Sequence, residues 1–289
     1  MARKPSGLSD DYFVLSITRA LGDQLMEALN RRVPRPLSEE QISKVRNEPG
    51  VYALWLDGVQ VYVGKASKGV PTRLRNHLAK LRGRRIVGNL AFTFLYVGED
   101  LEASAPEKML IARYKPLGKA RWNNSGIGGK DVGRRRDATL IKKGHFDALY
   151  PIDVNTPVTC GFSETKVSAH AVATALKAAL PFLLRFDRDN RSAMSILDEH
   201  IVEIPAEGSS LACWLRSVLT PLPAGWQATA LPGHVILYTE DNPDVYKSAL
   251  RYWRSTEVGV VEVEGMAQVD DSPLKASKTH DPEDWDDGS

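Results

Sequence analysis

Two tyrosines stand ten positions apart in matching surroundings: Tyr52 closes the run Gly50-Val51-Tyr52, and Tyr62 opens the run Tyr62-Val63-Gly64-Lys65. Arg73 and His77 follow at the i, i+4 spacing that puts two side chains on one face of a helix. Glu107 comes next in the chain. A free phenol, with a reference pKa of about 10, is a poor base near neutrality, but cations such as Lys65 and Arg73 favour its ionised form. His77 can take a proton from a tyrosine or hydrogen-bond to one, and Arg73 can grip a phosphate through two parallel N–H bonds. The set suits proton transfer at oxygen beside an anion. Taken singly, each member has a plainer reading. The tyrosines suit strand aromatics, Arg73 and His77 a solvated helix face, and Glu107 the capping-box partner of Ser104.

Other chemistries are excluded by spacing. Gly58 and Gly64-Lys65 are separated by five residues and followed by Ala66, where a phosphate loop needs four and a Ser or Thr. There is no Gly-x-Ser-x-Gly, His-Glu-x-x-His or Cys-x-x-Cys. The two cysteines, Cys160 and Cys213, lie in apolar surroundings and supply neither a disulfide framework nor a four-thiolate metal site. His145, His170, His200 and His234 have no ligand spacing and read as structural, and Trp214, Trp226 and Trp253 as core.

The elements that must position the tyrosines are legible. Apolar spacing predicts a helix over Asp10–Asn30, stopped by Pro34 and Pro36, and a short helix over Glu39–Arg46 capped by Ser38. Strands are expected at Val51–Leu56 and Val59–Val63, joined by Asp57-Gly58, a strong hairpin signal. A helix from Pro71 to Arg82 carries Leu74, Leu78 and Leu81 on one stripe and Arg73, His77 and Lys80 on another. A strand at Ala91–Val97, a helix at Ser104–Tyr114 and a basic loop region from Lys115 to Asp147 complete the first half. Beyond Pro151, helices at Lys166–Phe186, Ser209–Leu219 and Asp244–Thr256 and strands at His234–Thr239 and Val258–Val263 suggest a separate α+β unit.

Charge divides the chain. Of its 289 residues, 1–150 carry 27 Lys and Arg against 15 Asp and Glu, whereas 151–289 carry 11 against 21. A first half at +12 suits a polyanion such as nucleic acid. Candidate DNA contacts are Lys80, Arg82, Arg84, Arg85, Arg121, Lys130, Arg134, Arg135 and Arg136. No run approaches the ~18 apolar residues of a membrane span, and the first residues lack the apolar stretch of a secretory signal, so a cytoplasmic protein is expected.

In order and spacing the tyrosines, the helix arginine and the glutamate resemble the GIY-YIG nuclease family. Valine replaces the isoleucine of each name motif, as in the excinuclease C branch, whose Tyr-Val-Gly-Lys-Ala matches Tyr62–Ala66. Over about residues 20–150 the chain is similar to the GIY-YIG type II restriction endonucleases that cut a GC-rich palindrome. The likeness runs through Leu21-Gly22, Pro36-Leu37, Arg73 with His77, Glu107, Tyr114, Pro116-Leu117, Trp122-Asn123 and Gly126-Ile127-Gly128. Here Gly118-Lys119-Ala120-Arg121 intervene before the Trp-Asn, so either Asn123 or Asn124 can stand for the family's asparagine. Residues 151–289 lie outside the likeness.

The expected fold is α+β: the resemblance implies a GIY-YIG core with a three-stranded antiparallel sheet flanked by helices, and the pattern beyond Pro151 adds a second α+β domain. With a helical arm over 1–48, an accessory domain over 151–269 and a disordered acidic tail over 270–289 read from pattern and composition, the resemblance gives a nuclease domain over 49–150. It assigns catalysis to Tyr52, Tyr62, Arg73, His77, Glu107 and Asn123, with Lys65 supporting and Glu107 holding one Mg²⁺, for which Mn²⁺ can substitute. Tyr52 is then the base or water-orienting group and Tyr62 its support. Such a set suits phosphodiester hydrolysis, which needs an activated water and relief of charge at phosphorus. The expected activity is a restriction or anti-invader endonuclease on double-stranded DNA, acting as a homodimer on its site beside a companion DNA methyltransferase. A structure-directed repair or mobile-element nuclease, and a non-catalytic DNA-binding protein on the same scaffold, are the alternatives.

Overall fold

The computed structural model describes residues 17–86, 88–97, 110, 111, 114, 120–123, 125–127, 133, 134, 137–187 and 190–273. It is a mixed α+β structure whose chain divides into two compact units, one of residues 1–75 and 88–123, the other of 76–87 and 124–289.

In the first unit the apolar helix pattern becomes α1 (Ile17–Asn30), which leads to a two-residue strand, β1 (Arg35–Pro36). The short helix α2 (Glu39–Ile42) starts where expected, with Ser38 Oγ accepting from the Gln41 N–H, but ends four residues early. There Val45 N–H turns back to the Ile42 carbonyl. Strands β2 (Gly50–Leu56) and β3 (Val59–Ala66) meet at Asp57-Gly58, where both residues have positive φ, 49° and 75°. That pair of left-handed conformations is the two-residue turn whose twist matches the strands it joins, and Asp-Gly adopts it at low cost. Helix α3 (Val70–Leu81) and strand β4 (Leu90–Tyr96) follow. The sheet order is β1-β4-β2-β3, antiparallel throughout, so the expected three strands gain β1 at one margin. Val51, Ala53 and Val63 point to one face and pack with Leu29 of α1 and with Leu110, Tyr114 and Ala120.

Gly50 is the tightest point of this sheet. A Cβ there would stand 2.2 Å from the Leu95 carbonyl oxygen and 3.1 Å from Val70 Cγ2, so β2 could not lie against β4 with any larger residue.

The second unit is built on a five-stranded sheet. Its members are β7 (Leu184–Phe186), β9 (Trp226–Ala230), β10 (Val235–Thr239), β11 (Arg251–Thr256) and β12 (Gly259–Glu264). β7 joins parallel and the others antiparallel. Trp214, Trp226 and Trp253 lie in its core. Residues 76–87 belong to this unit because Asp153 N–H bonds the Gly83 carbonyl and Arg85 N–H the Pro151 carbonyl, each at 2.8 Å.

Two expected helices are corrected here. Lys166–Phe186 resolves into β6 (Lys166–Ser168), α5 (Ala169–Ala179) and β7. Ser168 caps the helix start, and Leu180, the residue before Pro181, leaves the helical region at ψ 141°. Asp244–Thr256 is not a helix: its second half is β11, held between β9 and β12. Tyr252 and Trp253 are both buried because this strand is covered on both faces. Elements absent from the sequence reading include the central strand β9, the strand β8 (Ile201–Glu203), which pairs with β6, and α6 (Arg191–Glu199), which precedes β8, capped by Asn190. α7 (Leu211–Leu219) lies close to expectation. The basic loop region contains β5 (Ile141–Lys142) and α4 (Phe146–Leu149), and β13 (Val269–Asp270) pairs with β5. The expected tail therefore begins on a paired residue, Asp270, and its positions 274–289 lie outside the described residues.

Burial, with the Asp137 charge second, pushes the Tyr238 phenol up to about 12, and burial also raises Tyr246 and Tyr114. An unfolded tyrosine ionises near 10. The folded protein therefore holds more protons than the unfolded chain above that point, and stability falls as pH rises from about 10 towards 12. Urea melts at pH 9 and pH 11 measure the fall, and Tyr238→Phe should lessen it. Gly50→Ala should cost about 3 kcal/mol of stability by overpacking, read from the urea midpoint at pH 7.

Candidate functional site

The register of the hairpin brings the two tyrosines together. Tyr52 is paired with Gly64 and Leu54 with Tyr62, so both phenols rise from one face of the sheet, the face opposite Val51, Ala53 and Val63. Their ring centroids are 6.1 Å apart at 32°. Tyr52 is 2% exposed, while Tyr62 is half-buried.

Gly64 makes this arrangement possible. A Cβ on Gly64 would meet the Tyr52 hydroxyl at 2.5 Å and the Tyr62 ring at 2.8 Å. The Tyr52 ring thus lies across a bare stretch of β3 backbone, and the two glycines of the motif have separate duties. Gly50 lets β4 approach, and Gly64 lets Tyr52 lie down.

The outer edge of β3 is closed by residues 120–123. Ala120 N–H bonds the Gln60 carbonyl at 3.2 Å and Trp122 N–H the Val61 carbonyl at 2.8 Å. Asn123 completes the pairing with its side chain, Oδ1 accepting from Val63 N–H at 2.9 Å and Nδ2 donating to the Val63 carbonyl at 2.6 Å. One carboxamide here copies the donor and acceptor of a strand peptide. Asn123 is therefore fixed to Val63, the residue after Tyr62, by a backbone contact that its sequence position does not announce. Asn124, the other candidate, lies outside the described residues.

Lys65 is paired with Val51, so strand alternation starts its side chain on the face opposite the phenols. The first turn of α3 is set by the Val70 N–H bond to the Glu48 carbonyl at 3.0 Å. From it Arg73 emerges half-buried beside the fully buried Leu74, and Arg75 pairs with Glu39 at 2.7 Å. One turn further along the helix His77 is buried, 9% exposed. Glu107, the expected metal ligand, lies outside the described residues, as do Lys130, Arg135 and Arg136. Among the described residues no group of three or more His, Cys, Asp and Glu is disposed to hold a metal ion.

The remaining candidate DNA contacts fall into two sets. Arg82, Arg85 and Arg121 are exposed and Lys80 is half-buried. Arg84 is committed to the fold: its guanidinium bonds Asp147 at 2.7 Å and the Tyr150 carbonyl at 3.0 Å, lies over the Phe146 ring, and its side chain is 11% exposed. Such a group is engaged within the fold, unlike its exposed neighbours Arg82 and Arg85. Arg134 is intermediate, with one nitrogen 2.5 Å from Asp187 and its guanidinium over Tyr238, yet 56% exposed. Among the described residues, the four histidines outside the constellation have partners of their own. His145 caps α4, His234 bonds the buried Asp137, His170 bonds Asp198 and His200 the Ile196 carbonyl.

No protein-family model matches the chain, and a search of curated proteins finds no match either.

Gly64→Ala should leave the fold intact and displace the Tyr52 ring, because a side chain gives way more readily than backbone. The expected readout is a changed near-ultraviolet circular dichroism spectrum with an unchanged far-ultraviolet one. Identical near-ultraviolet spectra would mean that the two tyrosines do not depend on Gly64.

Proposed function

We propose that the chain is a GIY-YIG nuclease, a magnesium-dependent endonuclease that hydrolyses phosphodiester bonds of double-stranded DNA, of restriction or anti-invader type. The observation that carries the reading is the packing of Tyr52 across Gly64 beside Tyr62. It gives the two glycines and two tyrosines of the motif a joint physical role, which four unrelated strand residues would not have. The +12 charge of residues 1–150 supports a polyanionic substrate.

In this reading Tyr52, fixed by its contact with β3 and shielded from bulk water, orients the attacking water and accepts its proton. Arg73 neutralises the phosphate as negative charge builds on its oxygens, and His77 hydrogen-bonds to or exchanges a proton with a phenol. The water oxygen bonds to phosphorus as the ester P–O bond breaks, and the leaving oxygen takes up a proton. Glu107 is the residue that would hold magnesium, which when bound supplies positive charge at the phosphate and an acidified water. Cutting both strands of a palindrome with one such site per chain calls for two copies related by the symmetry of the DNA.

Incubation of the purified protein with Mg²⁺ and unmethylated plasmid or phage DNA tests the proposal. Discrete fragments mark a site-specific nuclease, and cutting confined to branched or damaged DNA marks a structure-directed one. A folded protein that binds DNA and cuts none of these substrates is a binding protein. Glu107→Ala should abolish cleavage and leave DNA affinity within a few-fold, and Tyr52→Phe should lower the cleavage rate at least 100-fold with its melting temperature nearly unchanged. Wild-type rates in either variant overturn that residue's role.

A further inference from the structure

The face that carries the tyrosines continues across the sheet. Phe94 on β4 is the register partner of Tyr52, and Arg35 on β1 is the partner of Phe92, two residues before Phe94. Partners share a face, so from β3 to β1 the surface reads Tyr62, Tyr52, Phe94, Arg35. Tyr96, also on this face, meets Phe94 edge-on with centroids 5.2 Å apart. Two guanidinium groups lie over the row, Arg35 at 5.5 Å from the Phe94 centroid and Arg46 at 4.8 Å from that of Tyr96. The Tyr96 hydroxyl also accepts from the Arg46 backbone N–H at 2.8 Å, which ties the segment carrying Arg46 to the ring beneath it.

Both arginines are exposed, and both rings are half-buried. A guanidinium stacked on an aromatic face keeps its N–H fork free at the rim, with its rotamer already restricted. Arg46 also meets Glu48 at 3.2 Å, but both side chains are largely exposed, and a surface pair of that kind yields to a stronger anion. Exposed arginines held on one face in this way are suited to the phosphates of a nucleic-acid backbone.

The geometry points to Arg35 and Arg46, held on Phe94 and Tyr96, as a DNA-backbone contact that extends the tyrosine face to the β1 margin of the sheet. This rests on the nuclease reading of the same face. The sequence reading did not reach it, since Arg35 and Phe94 are far apart in the chain.

The test is binding of a fluorescently labelled DNA duplex to the full chain over a series of salt concentrations. Arg35→Gln/Arg46→Gln should weaken binding at least tenfold and reduce the log–log salt slope by about 1.8, two phosphate contacts at ~0.9 each. Arg35→Lys/Arg46→Lys, which keeps the charge but not the planar fork, should retain most of the slope and lose part of the affinity. The control Lys166→Gln/Arg191→Gln removes the same charge from exposed positions of the second unit and should change neither quantity. If wild type binds DNA and the Gln variant keeps its affinity and slope, the contact is overturned while the nuclease reading stands. An equal loss in the control overturns it too, by reducing the effect to net charge. A wild-type chain that binds no DNA overturns both readings.

Discussion

The first unit depends on one close approach, a tyrosine ring laid across a glycine of the neighbouring strand. For Tyr52 to rest on β3, position 64 must lack a side chain, the hairpin register must set residue 52 against residue 64, and the turn must be two residues long. Asp57-Gly58 provides the turn, which pairs Leu56 with Val59 and Trp55 with Gln60, and a one-residue irregularity between Leu54 and Trp55 then shifts the register so that Tyr52 meets Gly64. Without that shift Tyr62 would pair with Ala53 and leave the face that carries Tyr52. Position and chemistry are thus set by the same few atoms.

What was legible in the sequence was what is decided locally. The hairpin, α3 with its Leu74 stripe, β4 and α7 stand near their expected places because turn residues, caps and apolar periods determine them. What escaped was decided at a distance. β11 was misread because Leu250 and Trp253 recur at helical spacing, and only its position between β9 and β12 makes that spacing a strand buried on both sides. α5 was drawn too long because its apolar run continues into Leu180-Pro181, where the backbone before proline turns extended.

The candidate site divides along the same line. Tyr52 and Tyr62 could be placed on adjoining strands from the turn, but the one-residue register shift between Leu54 and Trp55 that brings both phenols to one face was not legible. Asn123 could be picked out as a residue but not as a partner for the Val63 peptide, since nothing in Trp122-Asn123 specifies which strand edge it will meet. Arg84 looked like its basic neighbours Arg82 and Arg85, and only Asp147, sixty-three positions away, distinguishes it. A count of charge describes what a surface offers, while the commitment of any one charge is a matter of tertiary contact.

The way the four-stranded sheet ends has a consequence for the protein in concentrated solution. An unpaired strand margin is a template on which another chain can add. At β3 the template is taken up by Ala120, Trp122 and the Asn123 carboxamide. At the opposite side β1 is two residues long, and one of them, Pro36, has no N–H to offer. With both margins blunted in these ways, by a borrowed amide and by a proline, the sheet that carries the tyrosines gives a stray strand little to grow upon. Its association with other molecules is left to side chains, whose choice of partner is far more selective.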